Sequence, residues 1–284
     1  MAVQLIRSPR RMAAFAARLA ARGRRIGVVP TMGALHDGHG SLIRRAAAEN
    51  DAVIVTVFVN PLQFGPREDF RRYPRSLPRD LRLARRAGAD VVFAPPAAQL
   101  YPLGFQSAVE VGALARRWEG ERRPGHFRGV ATVVTVLFGL TRPTDAYFGQ
   151  KDYQQALIVR QLVRDLRLPV RIHMLPTVRE PDGLAMSSRN ASLTPRHRRQ
   201  AAVLIQALRR ARARIRAGER RPAAVLQGMR RLIIAQPDAR LEYAAIADAA
   251  TLEPVRRLRG RVVILLAVQI GRTRLIDNLL VDVS

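Results

Sequence analysis

The sequence predicts an α/β fold, a doubly wound parallel sheet followed by a smaller C-terminal α+β unit. Three observations predict it. Short apolar, β-branched runs alternate with amphipathic helical segments over roughly the first 175 residues. One of these runs, DAVIVTVFVN (51–60), is apolar almost throughout, as expected for a strand buried on both faces. Near residue 177 the alternation stops, and long helical segments precede a last group of strands.

Taken in order, Met12, Phe15 and Leu19 sit at spacings of three and four and mark a first amphipathic helix after the start signal Ser8-Pro9. IGVVP (26–30) reads as a strand, SLIRRAAAEN (41–50) as a helix and 51–60 as the next strand. Residues 77–88 form a basic amphipathic helix, and DVVFAP (90–95) a strand. A loop with Gly120, Pro124, Gly125 and Gly129 leads to an apolar helix around 130–140. DAYFG (145–149) is a strand, 152–167 a helix with Leu157, Leu162 and Leu166 inward, and VRIHML (170–175) a strand. This spacing implies right-handed crossovers. The polar, turn-rich TVREPDGLAMSSRNASLTP (177–195) reads as a hinge, dividing the chain into 1–177 and 178–284. Helices over 195–217 and 222–235 and two or three strands complete the second part.

The chain has 284 residues, 48% of them apolar, no Cys, and 49 basic against 22 acidic side chains, a net +27. A disordered polar chain, a disulfide-stapled module and a collagen-like fibre are excluded. A zinc-thiolate site and a thiol nucleophile are excluded too. VVILLAVQI (262–270) is too short to span a bilayer, and MAVQLIRSPR lacks an apolar signal core, so a cytoplasmic protein off the membrane is expected. The charge leaves a nucleic-acid partner open, most visibly at 196–231, where twelve Arg face one Glu. Of the 49 basic residues 48 are Arg, and Lys151 is the sole Lys. An Arg-favouring coding bias explains the 48. The survivor then becomes a functional suspect, because Lys is a compact ammonium and Arg a wide planar fork.

Four segments carry chemistry. PTMGALHDGHGSL (30–42) joins a strand to a helix, the place where helix N-terminal amides attract phosphate. His36 and His39, at i and i+3, share a face and can donate to phosphoryl oxygens; without a third ligand, zinc is a poor reading. In FVNPLQFGPREDFRRYPR (58–75), Asn60 and Gln63 offer uncharged donors to a hydroxyl or carboxylate substrate, and turn chemistry accounts for them equally. Gly65-Pro66 opens a polar stretch to Arg79 that could act as a flap. In FGQKDYQQ (148–155), Gly149 permits close approach, Lys151 can reach a phosphate, Asp152 can cap a helix or hold a ribose hydroxyl, and Gln155 lies one turn from Lys151. MSSR (186–189) supplies two hydroxyls and a bidentate fork. All four are expected at strand ends converging on one sheet edge.

These segments, with RRPGHFRGVATVV (122–134) and PTVREPDGLAMSSRN (176–190), resemble the pantothenate synthetase (pantoate–β-alanine ligase) family of the HIGH-motif nucleotidyltransferase superfamily, over nearly the whole chain. His36-Asp37-Gly38-His39 matches the HIGH motif. The resemblance implies a Rossmann-like fold and a two-step, Mg2+- and ATP-dependent reaction. Pantoate attacks the α-phosphate to give pantoyl adenylate and pyrophosphate, and β-alanine then displaces AMP to give pantothenate. It further implies that Pro30, Thr31, Met32, Gly33, Ala34, Leu35, His36, Asp37, Gly38 and His39 line the ATP site. Gly149, Gln150, Lys151, Asp152, Val178, Met186, Ser187, Ser188 and Arg189 join them there. Gln63 and Gln155, with Asn60 and Met32, hold pantoate, and Gln63 is also near β-alanine. His39 is the implied proton donor, with His36, Lys151 and Arg189 as further catalytic groups stabilising the phosphorus centre beside Ser187 and Ser188. A homodimer with a closing C-terminal domain is implied, without a specific nucleic-acid partner or a protein metal site.

Two positions depart from the family pattern: Gly40, where a larger apolar residue is usual, and Gln150, where Glu is common. Two rival readings stand beside this one. The charge suggests a nucleic-acid binder, but the Arg residues are spread along the chain and few aromatics are present for stacking. The motifs also allow a cytidylyl- or adenylyltransferase, which keeps the nucleotidyl group in its product.

Overall fold

A computed structural model describes residues 3–65 and 70–283. The chain divides into two compact units. The first holds the residues up to Gln150 together with Gln154–Pro176, and the second holds Lys151–Tyr153 and the chain from Thr177 onward.

The first unit is built on a six-stranded parallel sheet of order β1-β4-β3-β2-β5-β6. Its strands are β1 (Gln4–Ile6), β2 (Ile26–Thr31), β3 (Ala52–Val57), β4 (Val91–Phe93), β5 (Asp145–Gly149) and β6 (Arg171–Leu175). Its helices are α1 (Pro9–Ala21), α2 (Asp37–Glu49), α3 (Leu77–Ala87), the single turns α4 (Ala97–Leu100) and α5 (Glu119–Arg122), α6 (His126–Thr141) and α7 (Tyr153–Asp165). Strand residues alternate between two cores. Val28, Ile54 and Val91 pack with α1, α6 and α7 on one face. Val29, Val53, Val55 and Val92 pack with α2 and α3 on the other. Burial on both faces explains why these strands read as unbroken apolar runs.

The chain winds from β2 outward through β3 and β4, then returns to place β5 on the other side of β2. That reversal is a topological switch point, where ligands of such sheets bind beyond the strands' carboxyl ends. Here the opening is visible in the ladder. β2 and β3 register over six residue pairs, whereas β2 and β5 register only at Gly27–Asp145 and Val28–Ala146. Val29–Thr31 and Tyr147–Gly149 therefore part toward their C-terminal ends.

The second unit has α8 (Pro195–Ala201), α9 (Val203–Arg216) and α10 (Pro222–Ile234), followed by an antiparallel sheet of β7 (Ala239–Asp248), β8 (Gly260–Ile270) and β9 (Thr273–Val283). Leu204, Leu208, Ile215, Val225, Met229 and Ile233 pack on Ile264, Leu266 and Val268 of the central strand.

Several expectations shift. β1 carries no sequence signal, since three residues at a sheet edge are too short to show a period. α2 begins at Asp37 rather than Ser41, so the paired histidines fall on its first turn. β3 stops at Val57, because Asn60-Pro61 starts a single 3-10 turn over Pro61–Gln63. α6 begins at His126 and contains Gly129, which was expected in the preceding loop. Leu166 lies past the end of α7 and is 47% exposed. The helix expected over 195–217 is two, interrupted at Ala202. Among the described residues no helix is long and apolar enough to cross a membrane.

Candidate functional site

The loop leaving β2 is held from within. Thr31 Oγ1 donates to the Thr56 carbonyl at 2.6 Å and accepts from the Gly33 amide at 3.1 Å. Gly33 and Ala34 then take successive left-handed conformations, with φ of 83° and 50°. Glycine suits the first of these, since a Cβ there would also meet Asp80 Oδ2 and Val57 Cγ1 at 3.0 Å. The turn aims the next two amides at one carboxylate. Ala34 N–H donates to Asp80 Oδ2 at 3.2 Å and Leu35 N–H to Asp80 Oδ1 at 2.8 Å. Asp80, on the first turn of α3, is 1% exposed. Burial pushes its carboxyl above the ordinary value, against the pull of the two amides and of Arg79. Asp80 escaped the sequence reading because one acid on a basic helix carries no motif.

His36 caps α2 in an extended conformation, and His39 is its third residue. The rings lie 4.1 Å apart, tilted by 39°. The His36 amide donates to His39 Nδ1 at 3.3 Å. A neutral His39 that accepts at Nδ1 carries its proton on Nε2, where it can be donated. The amides of Gly33 to His36 are thus engaged inside the protein.

Beyond β3, Asn60 is 1% exposed and uses all four of its hydrogen-bonding positions. Its Oδ1 accepts from Tyr101 Oη at 2.8 Å and from the Leu62 amide at 3.3 Å. Its Nδ2 donates to the Gly129 carbonyl at 3.0 Å and to Gln63 Oε1 at 3.1 Å. Burial raises the Tyr101 phenol well above its ordinary value, so it stays a neutral donor. Gly129 is required for close approach, because a Cβ there would lie 2.2 Å from the Leu62 carbonyl oxygen. Gln63 Nε2 reaches Met32 Sδ at 3.1 Å, which joins the segments after β2 and β3. Of the expected flap, residues 66–69 lie outside the described residues. Phe64 packs edge-on against Phe70 and Tyr73, and Leu77–Arg79 already belong to α3.

Gly149 ends β5, and Gln150–Asp152 form a 3-10 turn ahead of α7. Lys151 therefore does not lie on the α-helix with Gln155, as its spacing suggested. Gln155 is half-buried. Its neighbour Gln154 is the buried one, accepting from the Glu119 amide and donating to the carbonyls of Leu114 and Arg117.

In the second unit Lys151 Nζ lies 3.6 Å from Asp152 Oδ1, with 17% of its side chain exposed. Tyr153 Oη donates to the Ala249 carbonyl at 2.7 Å. Residues 178–186 form a tight turn, with the Met186 amide donating to the Val178 carbonyl at 3.0 Å and Arg179 bridged to Ala185. Ser187 and Ser188 then start a 3-10 turn, and Ser187 Oγ accepts from the Arg189 amide at 3.3 Å. MSSR therefore follows no strand of the parallel sheet, which corrects the expectation of four strand-end segments. One cavity is lined by Lys151, Ser187 and Arg189 and also by Arg274, which the sequence reading missed.

A doubly wound sheet with a histidine-bearing turn at its switch point defines an α/β enzyme that handles nucleotides. The model of the pantoate-beta-alanine ligase family matches residues 4–280. A pantothenate synthetase of Roseiflexus castenholzii is 57% identical, covering 94% of this chain and 96% of the relative. The crystal structure of pantothenate synthetase from Thermus thermophilus superposes with a TM-score of 0.93 at 46% identity, covering 98% and 99% of the two chains. That of pantoate-beta-alanine ligase from Francisella tularensis, complexed with beta-gamma ATP and beta-alanine, gives 0.82 at 36% identity and 98% coverage of both. The chain belongs to the pantoate–β-alanine ligase family.

Proposed function

We propose that this enzyme joins pantoate to β-alanine through a pantoyl adenylate. A pantoate carboxylate oxygen attacks the α-phosphorus of ATP, and the bond to pyrophosphate breaks. The β-alanine amine then attacks the acyl carbonyl, forming the C–N bond as the C–O bond to AMP breaks and the amine loses a proton. The family match over residues 4–280 carries this reading. Incubation with ATP, pantoate and β-alanine is expected to yield AMP, pyrophosphate and pantothenate in equal amounts. Absence of AMP and pantothenate would refute it, and a product retaining the nucleotidyl group would favour a nucleotidyltransferase.

The roles follow the chemistry. A carboxylate attacking a polyanion needs donors and positive charge rather than a strong base. His39, with its proton on Nε2, donates to the phosphoryl group as charge builds, and the tilted ring of His36 lies beside it. Lys151, Ser187, Ser188 and Arg189 meet the phosphates. Gln63, held by Asn60, and Gln155 bind pantoate, with Gln63 also near β-alanine. Val178 and Met186, tied by their backbone bond, border the nucleotide beside Gly149, Gln150 and Asp152.

Mg2+ enters as part of the Mg-ATP substrate. Among the described residues no three His, Asp or Glu side chains gather to hold a metal ion. The donor set therefore does not fit a protein-built cage, and the phosphate oxygens are the hard ligands this ion prefers. On the same reading the enzyme works in the cytoplasm as a homodimer, and sedimentation of the purified protein tests the dimer.

A further inference from the structure

The final strand carries a residue that belongs with the phosphate-binding set. Arg274 lines the cavity shared by Lys151, Ser187 and Arg189, with Leu184, Ala185, Leu275 and Ile276 as the apolar remainder. Three cations and a hydroxyl thus face one space with no acid in its lining. Asp152 and Glu242 pair with two of these cations from outside the lining, and the clustered donors still favour an anion among them.

Arg274 is also aimed. Its Nε donates to Glu242 Oε2 at 2.8 Å, with the two side chains 26% and 15% exposed. Glu242 falls at the register break of β7 between Leu241 and Tyr243, opposite no residue of β8. A bulge of this kind turns a side chain out of the regular alternation, and here it reaches past the central strand to β9. The anchored Nε fixes the guanidinium plane, which suits a bidentate grip on phosphate oxygens. Four residues further along β9, Asn278 is 2% exposed and its Nδ2 donates to the Lys151 carbonyl at 2.8 Å. One strand therefore presents the arginine and holds the backbone of the lysine.

We propose that Arg274, positioned by Glu242, binds the polyphosphate of ATP that departs as pyrophosphate. The proposal rests on the reading of Lys151, Ser187 and Arg189 as phosphate ligands. Its test uses inorganic pyrophosphate as an inhibitor of the forward reaction, together with the KM of each substrate. Arg274→Gln is expected to raise the pyrophosphate inhibition constant and the KM for ATP by about 10- to 100-fold, the loss of one charge-assisted contact. The KM values for pantoate and β-alanine stay within about twofold, and Arg274→Lys recovers part of the loss as a point charge. Because Arg274→Gln orphans Glu242, the paired variant Glu242→Gln/Arg274→Gln is measured alongside, with thermal melting of each. Unchanged pyrophosphate inhibition in Arg274→Gln, while Arg189→Gln and Ser187→Ala weaken it, overturns the assignment of Arg274 alone. Unchanged inhibition in all three variants overturns the phosphate reading of the cavity, and Arg274 with it.

Discussion

Asp80 Oδ1 accepts the Leu35 amide at 2.8 Å across 45 residues of sequence, and the same carboxylate takes the Ala34 amide through its other oxygen. A single buried acid on α3 thus sets the path of the loop that delivers His36 and His39 to α2. Asp80→Ala leaves two amides without their acceptor and is expected to cost about 1–3 kcal/mol in urea unfolding. Asp80→Asn keeps one acceptor oxygen and falls between. In both variants the KM for ATP rises more than that for β-alanine, which steady-state kinetics resolves.

Gly40 is a helix-interior glycine on α2 with room for a methyl group. A Cβ there would meet Arg44 Nη1, the end of a flexible chain, at 3.2 Å, and Leu83 Cδ2 at 3.7 Å. Gly40→Ala is therefore expected to stabilise the protein by about 0.5–1 kcal/mol. The check is a higher melting temperature with an unchanged KM for ATP.

Asp145, fully buried at the start of β5, is bonded by Arg25, Arg171 and His173 at 2.7–3.2 Å. Burial pushes its pKa up, but the bonds from Arg171, His173, Arg25 and Thr144 outweigh it and hold the carboxyl well below the ordinary range. With a lowered folded-state pKa, its stabilising contribution is complete above the unfolded value of about 3.9 and is lost as pH falls from there. Asp145→Asn should cost about 1.5–3 kcal/mol at neutral pH. The gap to wild type should narrow below about pH 4 in urea melts taken across the range.

Lys151→Arg is expected to lose most adenylation while the fold is kept. A wide guanidinium replaces a compact ammonium on a residue whose backbone is held by Asn278. Near-wild-type single-turnover adenylation would show that the position accepts any cation.

The parallel sheet was legible because burial on both faces leaves an unmistakable apolar signature, as in residues 52–57. Local signals succeeded where they stand next to each other in sequence, as with Ser8 capping α1 through the Arg11 amide. What could not be read were pairings made across the chain. Asp80 and Leu35 are 45 residues apart, Asn278 and Lys151 127 apart, and neither pair has a spacing to recognise. In the apolar strand TRLIDNLLVDV, the adjacent Asp277 and Asn278, both 2% exposed, were the available clue. Buried polar side chains in such a run need partners, and Asp277 finds Arg179 at 2.7 Å.

The assignment of Lys151–Tyr153 to the second unit bears on how relatives of this enzyme can be recombined. That unit is assembled from two separated stretches of chain, so a crossover at residue 176 does not transfer it whole. A chimera importing residues 177–284 brings Ser187, Arg189, Arg274 and Asn278 but keeps the recipient's lysine and its carbonyl. Grafts that also carry residues 151–153 keep the bonds from Asn278 to the Lys151 carbonyl and from Tyr153 to the Ala249 carbonyl within one parental sequence.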